Sequence, residues 1–221
     1  MSRTTIFGKI SSNGRTLHID DVQKENNLKY ICAECESELV PVKSEARKKD
    51  WHFRHSKESN LIVCKQRGLH DFAQQVLLDS NEIQISNSLR IKYSNPKKEA
   101  IIWERRRSDV AVDYEESILH FEVYVTNNLS LEKINYYNEK LIKCVKIDLS
   151  DEKYLTMSRE SITDTILNST PNKIRYGWVS QIKSEPVKDS FLKKYVFGIV
   201  MITILFIISF ILDRQTKRGR A

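Results

Sequence analysis

An uncharged apolar run near the end of the sequence sets the first limit on how this chain folds. Residues 195–212 read YVFGIVMITILFIISFIL, 18 residues without a charge. A helix rises roughly 1.5 Å per residue, so the run spans about 27 Å, close to the thickness of a bilayer's hydrocarbon core. We therefore predict one transmembrane helix here. The alternative, a buried core helix, conflicts with the lack of a polar stripe.

The residues on either side of this run, and the N-terminus, indicate how the helix is oriented and where the remainder of the chain lies. Basic residues lie on both sides, so the charge rule leaves the orientation nearly undecided. No apolar secretory segment follows Met1. We expect a single-pass, C-terminal membrane anchor with the bulk of the chain cytoplasmic, residues 183–194 as a linker and residues 213–221 as a basic tail.

The positive charge of the chain is unevenly placed. The net charge is +7, which at first favours nucleic acid as a partner. From Lys183 onward, however, there are eight Lys/Arg and three Asp/Glu, which leaves +2 for residues 1–182. Anionic lipid headgroups account for most of the excess. A local cluster, Arg105, Arg106 and Arg107, is a candidate for phosphate contact, and a solvated strand end is the alternative.

The remaining part, about 180 residues, is long enough for a domain with a sizeable core. We predict an N-terminal segment with a metal-binding element at residues 1–66 and a mixed α/β domain at 67–182. Hydrophobic periodicity predicts helices at 68–79, 130–141 and 158–168, and strands at 83–93, 100–104, 109–113, 118–126, 142–149 and 172–181.

Cysteines and histidines cluster in the N-terminal segment. Cys32 and Cys35 form a CxxC pair, His52 and His55 follow, and Cys64 comes next. In a cytosolic chain such a cluster favours zinc over disulfides. In an extended segment the two histidines face opposite ways, so only one reaches the metal. We favour His55, nearer Cys64, with His52 as the alternative ligand. Four protein ligands predict a structural zinc; the alternative is free cysteines and surface histidines.

Two acids are predicted to face each other across a β-hairpin. A turn centred between Glu115 and Glu116 places Asp109 opposite Glu122, and the alternation of the strands supports this register. Facing carboxylates are costly unless a cation lies between them, and Mg²⁺ or Mn²⁺ prefers such oxygens. The pattern predicts a divalent-metal site suited to phosphodiester hydrolysis. The alternative is a solvated hairpin whose acids never meet.

Taken in order, several short motifs resemble those of the competence CoiA-like proteins. They are CxxC, HFRH, Cys64, GLHDFAQQ, RSDVAV, HFEVYVT, LEKI and VKIDLS, within about residues 28–182. Proteins of that family join an N-terminal zinc-binding element to a nuclease domain. The resemblance implies an α/β fold here: a mixed-sheet PD-(D/E)XK nuclease-like domain preceded by a small zinc-binding β element, with DNA as partner.

The resemblance also implies roles for the hairpin residues. Asp109 and Glu122 match the two acids that bind a catalytic magnesium or manganese ion. Tyr124 stands where relatives have Lys or Gln. Tyrosine is neutral near pH 7, so at this position it hydrogen-bonds but supplies no cation.

Helical residues complete the site that the resemblance implies. His70 and Gln74 match a His-x-x-x-Lys pair, here without its lysine, and Lys133 matches a helix lysine that lies near phosphate. The metal-binding acids are thus retained while both flanking lysines are replaced.

The sequence leaves three functions open. The first is a membrane-tethered, metal-dependent endonuclease acting on DNA, in DNA uptake and processing or in defence against foreign DNA. The second is a catalytically inactive nuclease-fold module that binds nucleic acid or a partner protein at the membrane, which the residues Tyr124 and Gln74 favour. The third is a zinc-stabilised scaffold whose acids hold no metal.

Overall fold

A computed structural model describes residues 4–23, 27–44, 51–57, 59–104 and 106–178. The chain divides into two units, residues 1–179 and 180–221. The described ranges lie in the first unit. The predicted linker, transmembrane helix and basic tail, at 183–194, 195–212 and 213–221, lie outside the described residues. Among the helices of the described ranges, none is both long and apolar enough to cross a membrane.

Six short strands form an antiparallel N-terminal sheet. They are β1 (Thr4–Thr5), β2 (Phe7–Ile10), β3 (Thr16–His18), β4 (Tyr30–Ile31), β5 (Glu38–Val42) and β6 (His52–His55), arranged β1-β6-β5-β4-β2-β3. Tyr30 and Phe53 pack together in a small core, with ring centroids 5.2 Å apart. Cys32 and Cys64 belong to the same core.

Helix α1 (Leu61–Asp79) follows this sheet and packs on it. Gly68 allows the helix to lie close to β2, because a Cβ built there would lie 2.8 Å from the Cβ of Phe7. The predicted start at residue 68 is wrong by seven residues. The first two turns expose Ile62 and Val63 and bury Cys64, so they lack the apolar periodicity on which the prediction relied.

A hairpin and a second, mixed sheet follow α1. The hairpin is β7 (Glu82–Ser86) and β8 (Leu89–Lys92). The second sheet contains β9 (Ser94–Trp103), β10 (Arg106–Tyr114), β11 (Ser117–Tyr124), β12 (Cys144–Asp148) and β13 (Lys173–Tyr176), arranged β13-β12-β11-β10-β9. Helix α2 (Leu131–Glu139) joins β11 to β12, which run parallel, and α3 (Arg159–Leu167) precedes β13. The other neighbouring strands are antiparallel. The predicted mixed α/β class is confirmed.

The register of the β10–β11 hairpin is confirmed. Val110 pairs with Phe121 and Tyr114 with Ser117, which leaves Glu115 and Glu116 as the two turn residues. The single strand predicted at 83–93 is instead the β7–β8 hairpin, whose turn residues 87–88 are Asn and Ser, common in turns. The strand predicted at 100–104 begins six residues earlier, at Ser94.

Candidate functional site

Four potential metal ligands meet between the N-terminal sheet and α1. Cys32 and Cys35 come from the turn between β4 and β5, His55 ends β6, and Cys64 lies in the first turns of α1. Their ligand atoms all lie within 4.8 Å of one another. Ligands bound roughly 2.3 Å from a tetrahedral ion lie about 3.8 Å apart, so one ion can reach all four. His52 is not a member of this group. The Cys₃His cluster could therefore hold a metal ion.

The thiols of this cluster differ in how readily they ionise. Burial raises the pKa of the Cys64 thiol to about 12 and also raises the pKa of Cys32. For the exposed Cys35, partial burial acts upward, but hydrogen bonding with Ser37 outweighs it and lowers the pKa. Three thiolates at one place repel one another, and a bound cation compensates them. The donor set and its burial fit a closed, structural site.

Asp109, on β10, is held by donors from α1 and β11. Its Oδ1 accepts a hydrogen bond of 3.1 Å from the Gln74 amide and lies 3.3 Å from Nε2 of His70. Its Oδ2 accepts a bond of 2.7 Å from the backbone N–H of Val123. His70 and Gln74 are one turn apart on α1, so one helix face supplies both side chains. The structure thus brings His70 and Gln74, which the resemblance places in the site, into contact with Asp109.

Glu122, on β11, is buried and held from α2. The ammonium of Lys133 lies 2.6 Å from its Oε1, and the Tyr137 hydroxyl donates to the same oxygen at 2.5 Å. Lys133 also donates to the Arg107 carbonyl at 2.8 Å. Ser130 caps α2, its side chain accepting from the Lys133 backbone N–H. Lys133 and Tyr137 are four residues apart and so share one helix face.

The two acids lie in opposite electrostatic environments. Burial raises the pKa of Asp109, but the hydrogen bond and charge of His70 outweigh it and lower that pKa. Burial likewise opposes protonation of His70, yet the bond to Asp109 raises its pKa to about 9. Burial raises the pKa of Glu122 to about 7, although Lys133 acts in the other direction. Near neutral pH, Asp109 is ionised, His70 is protonated and Glu122 titrates.

A polar cavity of about 300 Å³ contains both acids. His70, Tyr124 and Lys133 also line it. The ring of Tyr124 lies 4.8 Å from the ammonium of Lys146, a buried lysine on the adjacent strand β12. Tyr124 thus stands at the cavity wall as the resemblance implies, with a cation behind its ring. The cavity thus places two carboxylates, His70 and the ammonium of Lys133 on shared polar walls.

The arginine cluster is only partly described. Arg106 lines the same cavity and pairs with Glu132 on α2. Arg107 lies 3.3 Å from Glu99 on β9. Arg105 lies outside the described residues. Both described guanidinium groups are half-exposed and balanced by acids, which favours the solvated strand end as much as a phosphate contact.

Sequence reasoning missed three residues of this site. Tyr137 bonds to Glu122, and its position four residues after Lys133 is a signal that could have found it. Asp71 is buried and lies 3.5 Å from Nδ1 of His70. Lys146 donates to Asn128 at 3.2 Å. The place of Lys146 follows from the parallel pairing of β11 and β12, which brings Lys146 beside Glu122, and no local pattern predicts that pairing.

Comparison of the chain with models of known protein families, with curated proteins and with solved structures finds no match. The class that fold and site define is therefore a mixed α/β protein with a Cys₃His cluster that could hold a metal ion and a separate cavity with two acids.

Proposed function

We propose that this chain is a membrane-tethered, metal-dependent nuclease acting on DNA, with a PD-(D/E)XK nuclease-like domain of the CoiA-like kind. The observation that carries the proposal is the shared cavity of Asp109, Glu122 and Lys133. The fold supports it as well: after α1 and the β7–β8 hairpin come the three antiparallel strands β9, β10 and β11, then α2, then β12 parallel to β11. DNA uptake and defence against foreign DNA are both compatible with a place at the membrane.

Asp109 and Glu122 would hold a magnesium or manganese ion. Carboxylate oxygens are the ligands that these ions prefer. The raised pKa of Glu122, caused first by burial and then opposed by Lys133, marks a place where negative charge is costly and a cation is favoured. When bound, such an ion supplies an activated water and stabilises the leaving oxygen.

Lys133 would supply the amine that Tyr124 lacks. The lysine of related nucleases follows the glutamate by two residues, whereas here the ammonium reaches Glu122 from α2. In that place it can hydrogen-bond to an attacking water or to a phosphate oxygen. The bond to Asp109 keeps His70 protonated near neutral pH, and His70 lines the same cavity, so it would also contact the phosphate.

The Cys₃His cluster would hold a structural zinc. Its ligands come from three elements: the turn before β5, the end of β6 and α1. A zinc there would join the N-terminal sheet to the helix that carries His70 and Gln74. It would stabilise the fold and position that helix.

The test is DNA cleavage by the full-length chain in mild detergent. Plasmid and single-stranded DNA are incubated with Mg²⁺ or Mn²⁺ and with Asp109→Asn or Asp113→Asn. Asp113 is exposed on the same strand β10 and serves as the matched control. We expect cleavage by the wild type and the control and a loss of at least about 100-fold in Asp109→Asn. Equal cleavage by all three proteins, or by none, contradicts the nuclease.

A non-cleaving binding module is the second candidate. It is favoured by Asp109, whose two oxygens already accept bonds from Gln74 and Val123, and by Tyr124 in place of lysine. In this case DNA or a protein would bind without turnover. Retention of DNA on the immobilised chain, with no cleavage and no added Mn²⁺ requirement, would select the binding module over the nuclease.

A further inference from the structure

A second cavity lies directly beside the acidic one. Its volume is about 270 Å³, against about 300 Å³ for the cavity of Asp109 and Glu122. The two cavities share three lining residues, His70, Val123 and Asn127. The two cavities therefore adjoin at His70.

The second cavity is polar and presents an anchored arginine. Gln66 and Arg67 line it from α1, and Thr126 and Asn127 from the segment after β11. The Nε of Arg67 lies 3.2 Å from Asp71, a residue whose side chain is only 3% exposed, while the Arg67 side chain is 44% exposed. A guanidinium held at its inner nitrogen by a buried acid loses little entropy on binding a ligand. Its planar fork suits phosphate oxygens.

We propose that this second cavity is a nucleotide subsite: the DNA strand cut at Asp109 and Glu122 continues past His70, and Arg67 binds the neighbouring phosphate. The inference rests on the proposed nuclease function. Arg67 and His70 are three residues apart on α1, so they are neighbours on one helix face, roughly 5–6 Å apart at Cβ. One face of one helix would thus contact two successive phosphates of the strand, while Gln66, Thr126 and Asn127 offer hydrogen bonds to sugar and base.

The turn that carries Cys32 and Cys35 also lines the subsite. Glu34, between Cys32 and Cys35, lines the second cavity. Its carboxylate repels phosphate, so the subsite takes a single nucleotide step and the strand leaves the cavity there. The Cys₃His cluster would then shape the substrate path as well as brace the fold.

Binding of short single-stranded oligonucleotides tests the subsite. The full-length chain in detergent is titrated with fluorescent strands of 4, 8 and 12 nucleotides, with Ca²⁺ in place of Mg²⁺ or Mn²⁺. Arg67→Ala should weaken binding about tenfold and flatten the salt dependence by roughly one phosphate contact. Arg54→Ala, which removes an exposed arginine from β6, is the control and should stay within about twofold.

A second pair of variants, which keep the side-chain volume, tests the subsite even if Arg67→Ala does not fold. Gln66→Glu places a negative charge in the cavity at the same side-chain volume and should also weaken binding about tenfold. Gln75→Glu makes the same change on α1 but lines a different cavity, and should bind as the wild type does. Wild-type affinity in both Arg67→Ala and Gln66→Glu overturns the subsite and leaves the nuclease standing. If the wild type binds no strand of any length, the subsite fails as well, and plasmid cleavage alone then decides whether the chain is a nuclease.

Discussion

Asp109 and Glu122 lie in one cavity, but their charges are controlled in different ways. Burial raises the pKa of Asp109, but His70 and the backbone N–H of Val123 outweigh it and keep the carboxylate ionised. Gln74 donates a hydrogen bond to the same carboxylate. Glu122 is buried, and its Oε1 is contacted by Lys133 and Tyr137. Because Glu122 has a pKa of about 7, raised first by burial, a cation bound between the two acids, as proposed, would displace a proton from Glu122. Binding of that cation would then depend on pH through Glu122.

Tyr137→Phe should raise the pKa of Glu122 further. The variant removes a hydroxyl donor that stabilises the ionised carboxylate, so Mn²⁺ affinity should begin to rise at a higher pH than in the wild type. The free energy of unfolding at pH 8 should fall by about 1–2 kcal/mol. Calorimetric Mn²⁺ titrations from pH 5.5 to 8.5 measure the first effect. Tyr176→Phe, on β13, is the hydroxyl control. An unchanged pH midpoint in Tyr137→Phe would show that the hydrogen bond from Tyr137 does not affect the pKa of Glu122.

His70→Gln should remove a pH-dependent part of the stability. The folded pKa of His70 is about 9, raised by its bond to Asp109 in spite of burial, and the ordinary value is 6.5. A base with a raised folded pKa stabilises fully below pH 6.5, and this contribution disappears as pH rises through 9. At pH 6 the free energy of unfolding of the wild type should exceed that of the variant by up to about 3 kcal/mol.

Urea unfolding at pH 6 and pH 9.5, without added Mg²⁺ or Mn²⁺, measures this difference. A double-mutant cycle supplies the control, because His70→Gln in an Asp109→Asn background should have a much smaller effect. The same difference at both pH values would rule out the charged pair as its source.

At the residue scale, prediction from the sequence succeeded where the alternation of two strands and the turn between them agreed. The period of two along each strand and the two-residue turn at Glu115 and Glu116 fixed the hairpin register. The contacts of Lys146 with Tyr124 and Asn128 could not be predicted in this way. They depend on the parallel pairing of β12 with β11, which is decided by the path of α2 between them.

At the level of elements, α2 carries the residues that hold Glu122, and a single cap begins it. Ser130→Ala removes the side chain that accepts from the Lys133 backbone N–H. Ser158→Ala removes the equivalent cap of α3, which accepts from Ser161. Each should lower the free energy of unfolding by about 1 kcal/mol. Only Ser130→Ala should also weaken Mn²⁺ binding, since α2 alone of the two presents Lys133 and Tyr137. Equal Mn²⁺ affinity in both variants would show that the Ser130 cap does not affect metal binding.

Helix α1 is the element on which the Cys₃His cluster depends for its fourth ligand. Cys64→Ala should reduce bound metal from about one zinc per chain to near zero, and should lower Tm by about 5–10 °C. Cys144→Ala, a buried cysteine of β12 outside the cluster, is the control and should keep its metal. Elemental analysis and thermal unfolding measure the two effects. A wild type without metal would remove the cluster proposal.

The elements predicted best were the two helices that begin after a capping serine. Helices α2 and α3 begin directly after Ser130 and Ser158, each of which accepts a capping hydrogen bond, and both prediction and structure place them there. The strands β1 to β6 have two to five residues each. Such strands are too short for a periodic pattern, and their order depends on pairing between distant segments.

For the whole molecule, membrane attachment remains a prediction from residues 195–212. A chain that ends after Glu185 lacks this run and should move from the membrane pellet to the soluble fraction almost completely. Replacing Lys193 and Lys194 by Ala leaves the run intact, and that variant should stay in the pellet. Fractionation with an alkaline carbonate wash is the measurement. Persistent pelleting of the shortened chain would contradict the anchor.

The mixed α/β class could be predicted for the whole chain because the alternation of helices and strands after Gly68 is strong. The sequence alone could not show that α1 begins at Leu61 and so reaches both the metal cluster and the acidic cavity. That reach depends on Cys64, whose burial against the N-terminal sheet comes from tertiary packing and leaves no apolar stripe in the sequence.

Because α1 carries both Cys64 and His70, the number of residues between them is constrained by two sites at once. One inserted residue would turn the later part of the helix by roughly 100° and advance it by about 1.5 Å. If the N-terminal part of α1 kept its position, His70 would leave the acidic cavity. If the C-terminal part kept its position, Cys64 would leave the Cys₃His cluster. A residue inserted in the turn between β7 and β8, at residues 87–88, should therefore be tolerated far better than one inserted inside α1.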